Sequence, residues 1–210
     1  MRRWLGVFLG LALLVSLSDR LPAEERKKED KTPQIQAAIR DLGSNDAEVR
    51  RAAAVALTRI GPDAKAAIPA LLKRLKDPDP VVRQNSIDAI GEINAPSEEA
   101  VDALIPLLKD AEYLIRLKAA ETLGKFGTLS AKAEKPLLEL LKDPQPIVRG
   151  FAVQAVIKVL PPQKAVPAVV PLLKDPAWNV RRKTEIGLGA IGTPEAKRAL
   201  ELNGKKKSSE

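Results

Sequence analysis

Neither cysteine nor histidine occurs among the 210 residues. Without thiol or imidazole there is no Ser-His-Asp or Cys-His nucleophile pair, no histidine or cysteine zinc site, no haem held by those ligands and no disulfide framework. Carboxylate, lysine, Ser/Thr hydroxyls and a single tyrosine are the chemistry that remains. Aromatic residues make up only 3%, so a core must be built from Leu, Ile, Val and Ala, which favours closely approaching helices over an aromatic-rich sandwich. No Asn-x-Ser/Thr glycosylation signal is present either. What the chain does have is 45% hydrophobic content, enough for a core, and 35 Lys and Arg against 27 Asp and Glu, a net charge of +8.

Arg2 and Arg3 precede an apolar run from Trp4 to Leu17. Such a run is too short to span about 30 Å of hydrocarbon and reads as a secretory signal peptide over residues 1–18, cut after Ser18 or Ala23. The expectation is a secreted or periplasmic protein with no stable membrane span after cleavage; an uncleaved, membrane-anchoring signal is the alternative. Bacterial lipoprotein processing is excluded, because it acylates a cysteine. Losing Arg2 and Arg3 lowers the net charge from +8 to +6, so the basic character survives export. Residues 19–32 mix both charge signs with almost no apolar side chains and are expected to be a disordered linker. Residues 203–210, with Lys205, Lys206 and Lys207, are expected to be a disordered basic tail.

Between these ends the phrase Leu-Lys-Asp-Pro-x-x-x-Val-Arg recurs, from Leu75, Leu108, Leu141 and Leu173, with a weaker copy from Leu42. Its arginines stand at 50, 83, 116, 149 and 181, spaced by 33, 33, 33 and 32 residues. A period of that length means an array of supersecondary units. In every copy apolar or small residues fall one before the arginine and three, seven and ten after it, as in Ile115, Ala119, Leu123 and Phe126. That spacing is helical. Eleven residues past the arginine come Gly61, Asn94, Gly127 and Gly192, residues that end helices in the left-handed conformation, while Leu160-Pro161-Pro162 ends the remaining copy.

The other half of each unit has its own stripe, such as Ile68, Leu71, Leu72 and Leu75, and predicts a second helix. Pro136 and Pro167 are expected in first turns, whereas Pro106 and Pro171 should bend the helix they enter. Asp77, Asp110, Asp143 and Asp175 share one place between the two helices, with Ser44 in the first copy. These are read as structural caps accepting backbone N–H groups at a turn, because a repeated residue serves what every repeat needs.

The full pattern, as in Leu72 to Ile93 and Leu173 to Gly192, resembles HEAT repeats of the short type shared with the phycobilisome-lyase group. The resemblance implies an all-α, right-handed α-solenoid of about five two-helix repeats over residues 33–202. It also implies that second helices line a concave, protein-binding face. In that family repeated Asp and Arg side chains link neighbouring repeats, which carries over to Asp77, Asp110, Asp143 and Asp175 with Arg50, Arg83, Arg116, Arg149 and Arg181; Ser44 departs from the pattern.

A partner should then meet positions the core does not claim. Leu117 with Phe151 is expected to give an apolar spot, and Lys158, Arg182 and Lys183 a basic one, a composition common at binding hot spots. Tyr113 and Trp178 are expected to pack onto the next repeat. Asp88, Glu92 and Glu121 interrupt the same face and, with export, argue against nucleic acid, although HEAT-like DNA glycosylases use a basic concave surface. HEAT enzymes that oxidise deoxyhypusine hold iron through His-Glu pairs, which a chain without histidine lacks. The expected function is an exported, non-catalytic scaffold for another protein, with no cofactor. The alternatives are a lyase-like enzyme subunit, a binder of an acidic polymer, or a carboxylate hydrolase using Asp88 and Glu121 about 10 Å apart, the separation of packed helices.

Overall fold

Helix boundaries follow the repeat. The structure is a computed structural model that describes residues 30–207, so the expected signal peptide and most of the linker lie outside the described residues. From Lys31 onward the chain is one unit of helices: α1 (Thr32–Asp41), α2 (Ala47–Ile60), α3 (Ile68–Arg74), α4 (Pro80–Ile93), α5 (Glu98–Leu104), α6 (Tyr113–Phe126), α7 (Glu134–Leu140), α8 (Pro146–Val159), α9 (Pro162–Val169), α10 (Trp178–Ile191) and α11 (Pro194–Lys207). Short 3-10 segments over 61–67, 105–109, 127–133 and 170–174 complete the odd-numbered half of the repeats. No strand occurs among the described residues.

The even-numbered helices are 14 residues each and stack in order, α2 on α4, α4 on α6, α6 on α8 and α8 on α10, forming an inner layer. The odd-numbered helices cover one side of that layer, and the Leu, Ile, Val and Ala stripes of both meet in one continuous core. Val82, Ile115, Val148 and Val180, just before the repeat arginines, are buried. Val49 at the leading edge is 37% exposed, because no inner helix precedes α2 among the described residues.

Helix ends obey the punctuation. Gly61, Asn94, Gly127 and Gly192 all have positive φ, but only Asn94 and Gly192 take the expected left-handed helical conformation, Gly61 and Gly127 having ψ near −136° and −135°; α8 stops before an extended Leu160. Pro106 and Pro171 each open a 3-10 segment, since a proline lacks the N–H that would continue the α-helical ladder. Pro167 differs from expectation: it lies inside α9, because that helix already starts at Pro162. The tail also differs, since α11 continues to Lys207. Lysine is a good helix former and its charge suits a helix C-terminus, so a basic composition alone did not forbid the helix.

Glycines set the spacing of the inner layer. A Cβ on Gly124 would lie 3.2 Å from Ala155 Cα, one on Gly91 would lie 3.0 Å from Thr122 Oγ1, and one on Gly150 would lie 2.8 Å from Lys183 Cδ. Positions one and eight past a repeat arginine therefore face positions two, six and nine past the arginine of the following inner helix.

Candidate functional site

The repeat arginines and aspartates come together first. Arg50 donates through Nε and Nη2 to Asp77 at 2.8 Å and 2.8 Å, Arg83 to Asp110 at 3.1 Å and 3.1 Å, Arg116 to Asp143 at 2.7 Å and 3.0 Å, and Arg149 to Asp175 at 2.7 Å and 2.8 Å. Each pair is bidentate and joins one repeat to the next, the geometry in which guanidinium and carboxylate are most strongly matched. Each arginine also donates through Nη1 to two carbonyls of its own turn, as Arg116 does to Asp110 and Ala111. Each aspartate accepts the N–H two residues on, so one carboxylate both shapes the turn and clasps the neighbour. Ser44 makes the turn bond alone, accepting from Asp46 N–H through Oγ.

This arrangement makes the fold acid-sensitive. Hydrogen bonding from Arg51 holds the Asp79 carboxyl at about 2, against the opposing effect of its burial and with help from the Val82 N–H it caps. Asp175 is also lowered, chiefly by the Arg149 hydrogen bond. Burial would raise Asp77, but bonds from Arg50 and the Asp79 amide outweigh it and the net direction is down. Carboxyls depressed in the folded state stabilise it fully above their unfolded value of about 4 and lose that contribution as pH falls through the folded value. Thermal melts should therefore drop steeply between about pH 4 and pH 2. Asp79→Asn should flatten that limb, and an equally steep limb in the variant would refute the assignment.

The inner face divides into two halves. Toward the N-terminus several charges are paired: Arg51 pairs with Asp79 and Glu48, Lys125 Nζ donates to Glu92 at 2.6 Å, and Lys118 Nζ stands 2.9 Å from Asp88 and 3.6 Å from Glu121, while Arg59 is exposed. Burial alone would lower the Lys118 ammonium, but the hydrogen bond and charge of Asp88, with Glu121, carry it above its ordinary value. The two carboxylates considered for hydrolysis are thus joined through a lysine.

Toward the C-terminus the pattern changes. Lys183 Nζ lies 3.9 Å from the centroid of the Phe151 ring and donates to Gln154 Oε1 at 2.9 Å, with no ion pair among the described residues. Its burial there pushes the ammonium below the usual lysine value, opposed only in part by the charge of Glu121. Lys158 is exposed without a carboxylate partner among the described residues and borders a groove of about 550 Å³ shared with Glu92 and Lys125. Arg182 is exposed, and its ion pair among the described residues is with Glu185, at 3.9 Å.

Phe151 and Lys183 therefore meet on the inner face, Lys158 lies two turns further along α8, and Arg182 stands beside Lys183 at the open edge of α10. Leu117 does not join them: the side chain is 4% exposed, because its position faces the next inner helix. Ile186, one turn beyond Arg182 at one of the positions the core does not claim, is 55% exposed. Trp178 is 71% exposed and Tyr113 41%, so neither is covered by the next repeat; as first residues of α10 and α6 they project back past the helix start.

Repeated two-layer helical units, stacked with a buried arginine–aspartate ladder, define an α-solenoid repeat protein. The pattern of HEAT repeats matches residues 68–134 and 134–208, and that of the PBS lyase HEAT-like repeat matches residues 49–77. The chain belongs to the HEAT repeat family. Among solved structures it is similar to the complex of CpcE and CpcF of phycocyanin lyase from Nostoc, at 22% identity and a TM-score of 0.67, covering 84% of this chain and 71% of that one. It is also similar to a designed armadillo repeat protein in complex with the peptide (KR)4, at 22% identity and a TM-score of 0.63, covering 81% and 88%. An engineered protein aligns at 21% identity with a TM-score of 0.62, covering 82% and 85%. No curated protein matches the sequence.

Proposed function

We propose that this chain is an exported, non-catalytic scaffold that holds a partner protein against the C-terminal half of its inner-helix face. The observation that carries the reading is the contrast between the two halves. Lys118 and Lys125 of the inner face are matched by carboxylates, whereas Lys158 and Lys183 have none among the described residues; Lys183 lies over Phe151, with Arg182 and Ile186 nearby in sequence. A partner segment that supplies acidic and apolar side chains would complete this surface, and an aromatic ringed by cations is a composition that concentrates binding energy. The solved relatives of this fold that hold a peptide or a second protein support a binding role. Export rests on the reading of residues 1–18.

Affinity capture from periplasmic or culture fluid tests the proposal. A stoichiometric protein partner is expected, retained by Lys65→Glu in the outer layer and weakened at least about tenfold by Phe151→Asp or Arg182→Glu. Circular dichroism of the exposed-site variant Arg182→Glu separates lost binding from lost folding. Unchanged capture by both variants, or turnover of a substrate that disappears on Glu121→Gln, would overturn it.

A further inference from the structure

Helix α10 carries two devices that other inner helices use to receive their successor, and among the described residues neither is occupied. The first is Arg181. Its Nη1 donates to the carbonyls of Asp175 at 2.7 Å and Pro176 at 2.8 Å, the same pair of turn carbonyls that orients every other repeat arginine. In the four earlier copies that pose aims Nε and Nη2 at an aspartate 26 or 27 residues ahead. For Arg181 the corresponding positions are Lys207 and Ser208, neither of them acidic, and Nε and Nη2 have no acceptor among the described residues.

The second device is Gly189. Gly91 and Gly124 at the same repeat position are approached by the following inner helix to within 3.0 and 3.2 Å of a Cβ, whereas a Cβ on Gly189 would meet nothing within 4 Å. Arg182 and Ile186 are exposed on the same helix. The outer position of the next repeat is already filled, since α11 starts at Pro194 in register with α9 at Pro162 and packs on α10. Among the described residues no inner helix lies on this edge of α10.

We propose that this edge of α10 takes an amphipathic helix of a partner protein, laid beside α10 as a sixth inner helix. An aspartate at the start of that helix is clasped by Nε and Nη2 of Arg181, and a small residue is seated on Gly189. The guanidinium of Arg181 selects a carboxylate, and a carboxylate is also favoured at a helix N-terminus. A second copy of this chain fits less well. Its leading inner helix α2 is preceded by Ser44 in place of an aspartate, and its α1 would fall where α11 stands.

A fluorescein-labelled peptide with the sequence of residues 77–94 serves as the probe, because it holds Asp77 ahead of an inner helix with Ala89 at the seating position. Anisotropy titration against the full chain should give saturable binding. Arg181→Gln in the protein should weaken it on the order of tenfold, and Asp77→Asn in the peptide by the same factor. The two changes together should cost no more than either alone, the signature of one shared contact. Phe151→Asp should leave peptide affinity unchanged, so this edge and the inner-face proposal fail or stand separately. Gly189→Leu should abolish binding; if that variant does not fold, the Arg181 and Asp77 pair still decides. No saturable binding at millimolar protein, or full affinity in Arg181→Gln, would overturn the proposal. Self-association of the full chain that is lost on Arg181→Gln would overturn it in favour of a second copy.

Discussion

Arg116→Ala is expected to lower the melting temperature by on the order of 10 °C. Arg116 sits mid-array with its side chain 13% exposed, and its partner Asp143 is 4% exposed. Deleting the guanidinium leaves a buried carboxylate with the Gln145 N–H as its remaining hydrogen bond and also frees the carbonyls of Asp110 and Ala111. Removing one partner of a buried pair costs about 3–5 kcal/mol, and about 2–4 °C follows per kcal/mol in a domain of this size. Arg181→Ala is the internal control. It loses the same kind of carbonyl bonds but no cross-repeat carboxylate, so its shift should be only a fraction of the first. Calorimetric melts of the two variants compare them directly, and equal shifts would show that the clasps between repeats contribute nothing.

Gly124→Leu should destabilise the fold by about 2 kcal/mol, against the trend of helix propensity. Replacing a mid-helix glycine ordinarily gains about 1 kcal/mol, and Gly189→Ala, with open space around it, should show that gain. At Gly124 the nearest atom to an added Cβ is the Ala155 backbone at 3.2 Å, which can yield only if α6 and α8 move apart. Overpacking against backbone costs about 3 kcal/mol at the upper end of its range, which outweighs the propensity gain. Urea midpoints measure both substitutions. A midpoint for Gly124→Leu at or above that of the parent chain would mean the inner helices can separate without loss.

Much of this was legible before the structure because each instruction is written five times. The spacing of Arg50, Arg83, Arg116, Arg149 and Arg181 places every inner helix, and the glycines and Asn94 mark their ends. Leu117 was misplaced for a specific reason. The position after the repeat arginine looks solvent-facing on a single helix, whereas stacking turns it toward the next inner helix; among the described residues it is half-buried as Arg51 and Gln84, buried as Leu117 and Gly150, and exposed on α10 as Arg182. A clue was present, since Leu117 and Gly150 are the apolar and small members of that column. The cation–aromatic contact of Lys183 with Phe151 could not be read, because it depends on the lateral offset between α8 and α10, which no single-repeat pattern encodes. The helical tail was missed because helix formation there depends on docking against α10, through contacts such as Asn203 with Glu185.

The arginine clasps all lie where the outer segments turn into the inner helices. At the opposite ends of those helices the links between repeats are of another kind: Lys125 with Glu92, Lys132 with Asp102 and Lys164 with Glu134, with side chains 34% to 64% exposed. Exposed pairs of this sort are weak and are screened by salt, whereas buried bidentate pairs are screened far less. The array is therefore hemmed along one side only. Raising the ionic strength therefore weakens the far-side links and leaves the clasps, so at high salt the spacing of the far side rests on the close apolar approach of the inner helices, such as Gly124 against Ala155.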